Sequence, residues 1–324
     1  MFSAAPGSAA RKTLDFYFID VEGGQATLIV TPAGESLLVD TGWNGFNGRD
    51  AERIVKAAKD ADLKHIDYVL ITHHHMDHVG GAAQLAERFP VRAFIDHGDN
   101  TETGRGAELL QGVYAKALAA SKRIQVKAGD KLPLKGIQAE VVSARGGLIT
   151  TPLTGAGQPN PLCAGEARRA DDPSENALSV GFLLTHGKFR FVNLGDLTWN
   201  KELELACPNN KLGQVDLYLT THHGMNISGP KAIVHALNPR VAIMNNGAKK
   251  GGTPEAYQVI RSSPRLQDLW QLHFAVAGGS ENNTAEAMIA NPAPDCNGFY
   301  LKASVDEKGV LTVTNQRNKY SKSY

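Results

Sequence analysis

The sequence predicts an α+β chain in which two β-sheets pack face to face with helices on their outer sides. Three observations lead there. The first 95 or so residues begin as a run of short strands and then alternate strands with helices. The same grammar restarts near Ala177 and continues to the C-terminus. Between the two stretches, residues 146–174 are rich in Gly, Pro, Thr and Asp and read as one long loop, a type of segment that is usually functional or disordered. Two β-rich halves, each with its own helices, are satisfied by a layered sandwich.

Taken in order, residues 14–21, 26–31 and 36–40 read as three strands separated by the turn signals Glu22-Gly23-Gly24 and Pro32-Ala33-Gly34, an antiparallel meander. Residues 50–61 have helical periodicity, 68–72 form a short β-rich apolar run, 79–89 are helical again and 91–95 are a strand. In the second stretch, 178–185, 188–193, 216–221 and 241–244 read as strands, and 200–206, 230–236 and 254–261 as helices. Residues 299–303 and 310–315 close the chain as a hairpin around Asp306-Glu307-Lys308-Gly309. No fixed-period repeat is present.

At 324 residues and 42% hydrophobic, the chain can bury a large core, and one domain over 13–324 is expected. Thirty-four Lys and Arg against 33 Asp and Glu leave a net charge of +1, so no global field advertises nucleic acid, although a local basic patch stays open. No apolar run approaches the ~18 residues needed to span a bilayer, and membrane insertion is not expected. Residues 1–12 are small-residue-rich and lack the basic and apolar regions of an intact signal peptide; they are expected to be disordered, either as the remnant of a cleaved leader or as a native or cloning-derived start. A periplasmic or secreted location is the first expectation and a cytoplasmic one the alternative. Of the three cysteines, Cys163 with Cys207 or Cys207 with Cys296 are the candidate pairs if the chain is exported, and three free thiols otherwise.

The chemistry concentrates in Thr72-His73-His74-His75-Met76-Asp77-His78, which follows a buried strand and precedes a helix opened by Gly80-Gly81. Imidazoles and a carboxylate suit zinc and similar divalent ions. Alternation at a strand end lets His73 and His75 grip one ion, while Asp77 and His78 on the following turn face a second. Asp196, beyond a strand and after Gly195, is placed to share its carboxylate between two cations. His222 and His223 both directly follow a strand, and alternation sends them to opposite faces. His222 is taken as the ligand and His223 as its support or a substrate contact.

The pattern His-x-His-x-Asp-His on a strand-to-helix loop resembles the metallo-β-lactamase-like hydrolase superfamily, with Asp40 in Leu37-Leu38-Val39-Asp40-Thr41-Gly42, Gly195-Asp196 and Thr221-His222-His223-Gly224 as further matches. Asp20-Val21-Glu22-Gly23-Gly24-Gln25, Asn176-Ala177-Leu178-Ser179 and the His-His-Gly ending look like the hydrolase domain of bacterial competence (DNA-uptake) proteins. The resemblance implies a four-layer αββα sandwich and one or two metals, zinc first, with Mn or Fe as alternatives. It also implies a bridging role for Asp196 and a supporting role for Asp40.

Two departures stand out. The family's additional His between the cluster and the bridging Asp is missing: Ser174-Glu175-Asn176 occupies that region. Either Asn176 or Glu175 takes the place, or His97 in Ile95-Asp96-His97-Gly98-Asp99 swings in from the next strand end. In the segment Met244-Asn245-Asn246-Gly247-Ala248-Lys249-Lys250, Lys249 and Lys250 stand where the competence-like domains tend to carry Tyr-Gly-His-Pro. They are candidate contacts for an anionic group, or else a solvated loop. The expected activity is hydrolysis of a phosphodiester or other anionic ester by a metal-bound hydroxide, with Asp77 and Asp196 catalytic. The alternatives are a carboxyl-ester, lactone or β-lactam hydrolase, and, from another class, a metal-binding protein without catalysis. A small-molecule or anionic ester is the expected partner, and the oligomeric state is open.

Overall fold

In the computed structural model, which describes residues 12–324, the chain opens with β1 (Thr13–Phe18), β2 (Thr27–Val30) and β3 (Ser36–Val39), the antiparallel meander expected from the two Gly-containing turns. Helix α1 (Arg49–Asp60) carries the chain to β4 (Ile66–Leu70), which pairs parallel with β3. After β4 come α2 (Met76–Val79), α3 (Ala82–Arg88), β5 (Val91–Asp96), α4 (Arg105–Leu118), β6 (Lys122–Gln125), β7 (Gln138–Ala144) and the short β8 (Gly147–Leu148). The second half runs through β9 (Gly181–His186), β10 (Phe189–Asn193), α5 (Trp199–Ala206), β11 (Leu217–Leu219), α6 (Lys231–Leu237), β12 (Val241–Met244), α7 (Pro254–Arg261), β13 (Asp268–His273) and β14 (Ile289–Asn291). It closes with β15 (Leu301–Asp306), β16 (Leu311–Asn315) and β17 (Ser321–Ser323). The expected disordered segment 1–12 lies outside the described residues except for Lys12.

Nine strands form one sheet in the order β17-β16-β15-β1-β2-β3-β4-β5-β6, and eight form the other in the order β14-β13-β12-β11-β10-β9-β7-β8. One core fills the space between them: Phe16 and Phe18 of the first sheet meet Phe189 and Phe191 of the second, with the rings of Phe16 and Phe191 4.8 Å apart. Cutting Phe191 to Ala there would cost roughly 3–5 kcal/mol, transfer plus cavity. A second apolar layer joins the first sheet to α1, α3 and α4, and a third joins the second sheet to residues of α5, α6 and α7. The molecule is a four-layer αββα sandwich. The C-terminal hairpin crosses back to the first sheet, where β15 pairs with β1, so both ends of the described chain close the same sheet.

The helix expected over 79–89 is two pieces, α2 and α3, joined through Gly80 and Gly81. A side chain at Gly80 would run into Met76 O and Asn44 N, and one at Gly81 into Thr41 O, so the glycines let the metal-type loop lie flat on its neighbours. Helix α4 was not legible: it buries only Ala107, Leu110, Tyr114 and Ala117, and two glycines blunt its periodicity. The stretch 146–174 is a coil with little regular structure, fastened at several points. A disulfide joins Cys163 to Cys207, Asn160 caps a short turn through Leu162 N, and Asn200 of α5 holds Arg169 through its N and O. Closing a loop of 44 residues is worth about 4 kcal/mol in the chain-entropy account.

Candidate metal centre

Strands β3, β4 and β5 run parallel in one sheet, and β10, β11, β12 and β13 run parallel in the other. Chemical residues gather beyond their carboxyl ends, where open parallel sheets expose loops and free backbone groups. Asp40 follows β3, the His73–His78 loop follows β4, Asp196 follows β10, His222 and His223 follow β11, and Asn245 follows β12. Val180 N donates to Thr72 O at 2.8 Å, tying the two halves together beside the loop.

Four donors converge: Asp77 Oδ2, His78 Nε2, Asp196 Oδ2 and His223 Nε2, all buried. His78 Nε2 lies 3.2 Å from each carboxylate, and His223 Nε2 lies 3.2 Å from Asp77 and 3.3 Å from Asp196. A tetrahedral ion with ligand bonds of about 2.0–2.2 Å has edges of roughly 3.3–3.6 Å, close to these separations. Neither imidazole Nε2 has a hydrogen-bond partner, which a buried nitrogen rarely tolerates. The residues therefore fit a divalent cation.

The surroundings set the rings. Asp40, held in the left-handed region at φ 61°, accepts from Thr72 N and Thr72 Oγ1, and from His78 Nδ1 at 2.8 Å. With Nδ1–H so committed, His78 presents its Nε2 lone pair to the centre, the usual carboxylate–histidine support of a metal ligand. Burial pushes the His78 imidazole down, but Asp196, Asp77 and Asp40 outweigh it and hold it well above the ordinary histidine range. Burial pushes Asp77 and Asp196 up, yet the facing histidines bring both well below the usual carboxylate range. The cluster demands positive charge, which protons supply when no metal does.

His73 and His75 meet beside this set. His73 Nε2 is 3.0 Å from His75 Nδ1, and the outer nitrogens are occupied: His73 Nδ1 faces Thr72 Oγ1 at 3.0 Å, and His75 Nε2 faces Glu102 Oε1 at 3.1 Å. Since Thr72 Oγ1 gives its hydrogen to Asp40, it must accept from His73 Nδ1, leaving the His73 Nε2 lone pair facing His75 Nδ1. Burial and the nearby His78 keep His73 well below its ordinary value and hence neutral. His74 points the other way, donating from Nε2 to Gly98 O.

The gap left by the absent histidine takes a particular form. His97 Nε2 is bound to Glu175 Oε2 at 2.9 Å, and Glu175 also accepts from His74 N, Thr101 N and Thr101 Oγ1. Both are committed to a buried brace behind His74, so the expectation that His97 swings in is not met. Asn176 Oδ1, by contrast, is buried without a partner.

The tandem histidines differ from expectation. His223 belongs to the four-donor set and His222 does not. Strand alternation fails because both residues adopt left-handed backbone, φ 54° and 56°, in a turn after β11. His222 instead touches Asp196 from outside, Nε2 to Oδ2 3.3 Å, with Nδ1 on Ser228 Oγ; burial lowers it to about 4. It lines a cavity of about 230 Å³ with Arg169, Asp172, Thr198 and Trp199. Lys249 is likewise displaced from its expected role. Gly247 N donates to Lys250 O, a tight turn that sends Lys249 to solvent and brings Lys250 Nζ onto Asp77 Oδ2, 5.0 Å above the Trp43 ring. Glu102 and Trp43 carried no motif that would have singled them out.

Residues 19–159 match the family model described as Metallo-beta-lactamase superfamily. The chain is 31% identical over 124 residues to a UPF0173 metal-dependent hydrolase of Herpetosiphon aurantiacus, covering 38% of this chain and 44% of that protein. It is 25% identical over 188 residues to ComE operon protein 3 of Bacillus subtilis, covering 57% and 20%. The chain thus spans less than half the length of these curated relatives. Among solved structures, the metallo-beta-lactamase fold protein YhfI from Bacillus subtilis aligns over 80% of this chain and 95% of its own, at 10% identity and a TM-score of 0.47.

Proposed function

We propose that this chain, whose residues 19–159 match the metallo-β-lactamase superfamily, is a metal-dependent hydrolase of phosphodiesters or other anionic esters. The observation that carries the reading is the four-donor set with two partnerless imidazole nitrogens at tetrahedral spacing. Asp77, His78, Asp196 and His223 would hold one ion, zinc first by donor type. His73 and His75, with Asp196 shared, would hold the other, and the partnerless Asn176 Oδ1 is the candidate third donor. Divalent ions at these donors supply Lewis acidity and activate water.

The protein's own residues do the rest. Asp40 and Glu102 fix the ring orientations of His78 and His75. Asp77, with the most exposed side chain of the four donors at 10%, faces the approach to the centre. Lys250, anchored on Asp77, presents a positive charge there, which favours an anionic ester over a neutral lactone. His222 separates the centre from the Arg169–Trp199 cavity, where a substituent of the ester can lodge. An exported location, periplasmic or secreted, is supported by the Cys163–Cys207 disulfide, since such bonds persist in oxidising compartments.

The deciding experiment assays metal-stripped protein, reloaded with Zn, Mn or Fe, against bis-nitrophenyl phosphate, an aryl acetate, a lactone and nitrocefin. Turnover of the phosphodiester that vanishes in Asp196→Ala supports the proposal. Preference for the aryl acetate, the lactone or nitrocefin would move it to the carboxyl-ester, lactone or β-lactam hydrolases, and no turnover with any metal would sink it.

A further inference from the structure

We propose that Asp20, His273 and Cys296 form a second metal site, structural in role, taking one zinc-like divalent ion on a carboxylate, an imidazole nitrogen and a thiolate. These residues come from three distant parts of the chain: the turn after β1, the end of β13, and the segment between β14 and β15. His273 Nε2 lies 2.8 Å from Asp20 Oδ1, and Cys296 Sγ lies 3.1 Å from Asp20 Oδ2 and 3.8 Å from the same His273 nitrogen. Each residue brings a donor atom within 4.8 Å of the others, and the separations approach the edges of a coordination polyhedron with bonds of about 2.0–2.3 Å. Glu22 Oε1 lies 4.0 Å from Cys296 Sγ and is the candidate fourth donor. Mixed N, O and S donors suit zinc better than a hard cation such as magnesium.

Charge closes the case. Asp20, Glu22 and a Cys296 thiolate are three negative groups, and Arg53 lies among them, donating to Asp20 Oδ2 at 3.0 Å and to Glu22 at 3.2 Å. Arg49 is shared between Glu22 and Asp50 and adds no net charge. The remainder is two negative charges, which one divalent ion neutralises. Binding displaces the Sγ hydrogen, released as a proton, and the hydrogen on His273 Nε2, which leaves as a second proton from an imidazolium or moves to the partnerless Nδ1 of a neutral ring.

The consequence is mechanical. Asp20 Oδ1 accepts from Glu22 N, setting the turn that continues into Gly24 and Gln25, and Gln25 N donates to Asp77 O at 3.0 Å. An ion here would clamp the backbone that stands behind Asp77. This site is independent of the hydrolytic reading, and either can fail alone.

The test uses the whole chain with Cys296 kept reduced, as wild type, Cys296→Ser and Asp196→Ala. Cobalt(II) loading should give a thiolate-to-metal charge-transfer band in wild type and in Asp196→Ala, and none in Cys296→Ser, which should also hold one zinc ion fewer than wild type. Because Cys296 is the free cysteine, its alkylation by iodoacetamide offers a readout that needs no change at the site. Zinc should slow it about tenfold or more in Asp196→Ala, since a metal-bound thiolate is no longer a free nucleophile. No charge-transfer band in either protein, equal metal content in wild type and Cys296→Ser, or an alkylation rate indifferent to zinc would overturn the proposal.

Discussion

The two halves of the metal centre are built to different standards. Asp77, His78, Asp196 and His223 form a closed set of four buried donors drawn from both sheets, while His73 and His75 are a pair from one loop that belongs to no such set. The first set carries a surplus of carboxylate that calls for a cation. The second has no carboxylate of its own and leans on Glu102, whose side chain is 36% exposed. The comparison teaches that two donor sets fed by one loop can differ in completeness. One position is loose and the other intact, with Asp196 between them.

The largest test of that asymmetry is Asp196→Ala. Its carboxylate touches His78, His222 and His223, so its removal should empty this centre of metal and take away nearly all turnover, measured by elemental analysis and by kinetics on the same sample, with only an ion at Asp20, His273 and Cys296 retained. A variant that keeps its full metal content would break the comparison. Next comes the histidine pair. His223→Ala should cost one ion per chain, whereas His222→Ala should keep the metal count and raise KM through the cavity it lines. The reverse outcome would restore His222 as the ligand. At the weaker position, Glu102→Ala should lower affinity for the more loosely held ion by about 10–100-fold, the usual cost of losing a partner behind a metal-bound histidine, with little effect on the tighter one.

The smallest effect concerns stability under the turn that carries His223. Glu202 of α5 is buried there, one oxygen accepting from Gly229 N and the other partnerless, and burial pushes its carboxyl from 4.5 up to about 8. The folded chain keeps a proton that the unfolded chain releases above 4.5. Stability from this group is therefore highest below that value and falls as pH rises towards about 8. Glu202→Gln should flatten the decline, with its Tm advantage over wild type widening across that window. A constant difference would show that Glu202 is already ionised in the fold.

Much of this was legible in the chain because the informative features are local. Short strand-like runs between glycine-containing turns gave the meander, and four histidines within six residues have no ordinary structural excuse, so the loop from His73 to His78 could be read as a candidate metal-binding loop without coordinates. The short apolar runs before Asp40, Asp196 and Thr221 marked strand ends, where open sheets place their chemistry.

What the tertiary structure decided depends on backbone angles and on contacts between distant segments. Period-two reasoning chose His222, and two successive left-handed residues gave the place in the donor set to His223. Lys249 and Lys250 were both candidates, and a turn closed by Gly247 and Lys250 presented only the second to the centre. His97 was a fair candidate until Glu175, 78 positions away, bound it. A sequence by itself fixes which donors exist and which strand ends they follow, because those are properties of neighbours along the chain. Which donors meet is settled by packing, because a single turn of the backbone redirects a ring by more than the radius of the ion it would hold.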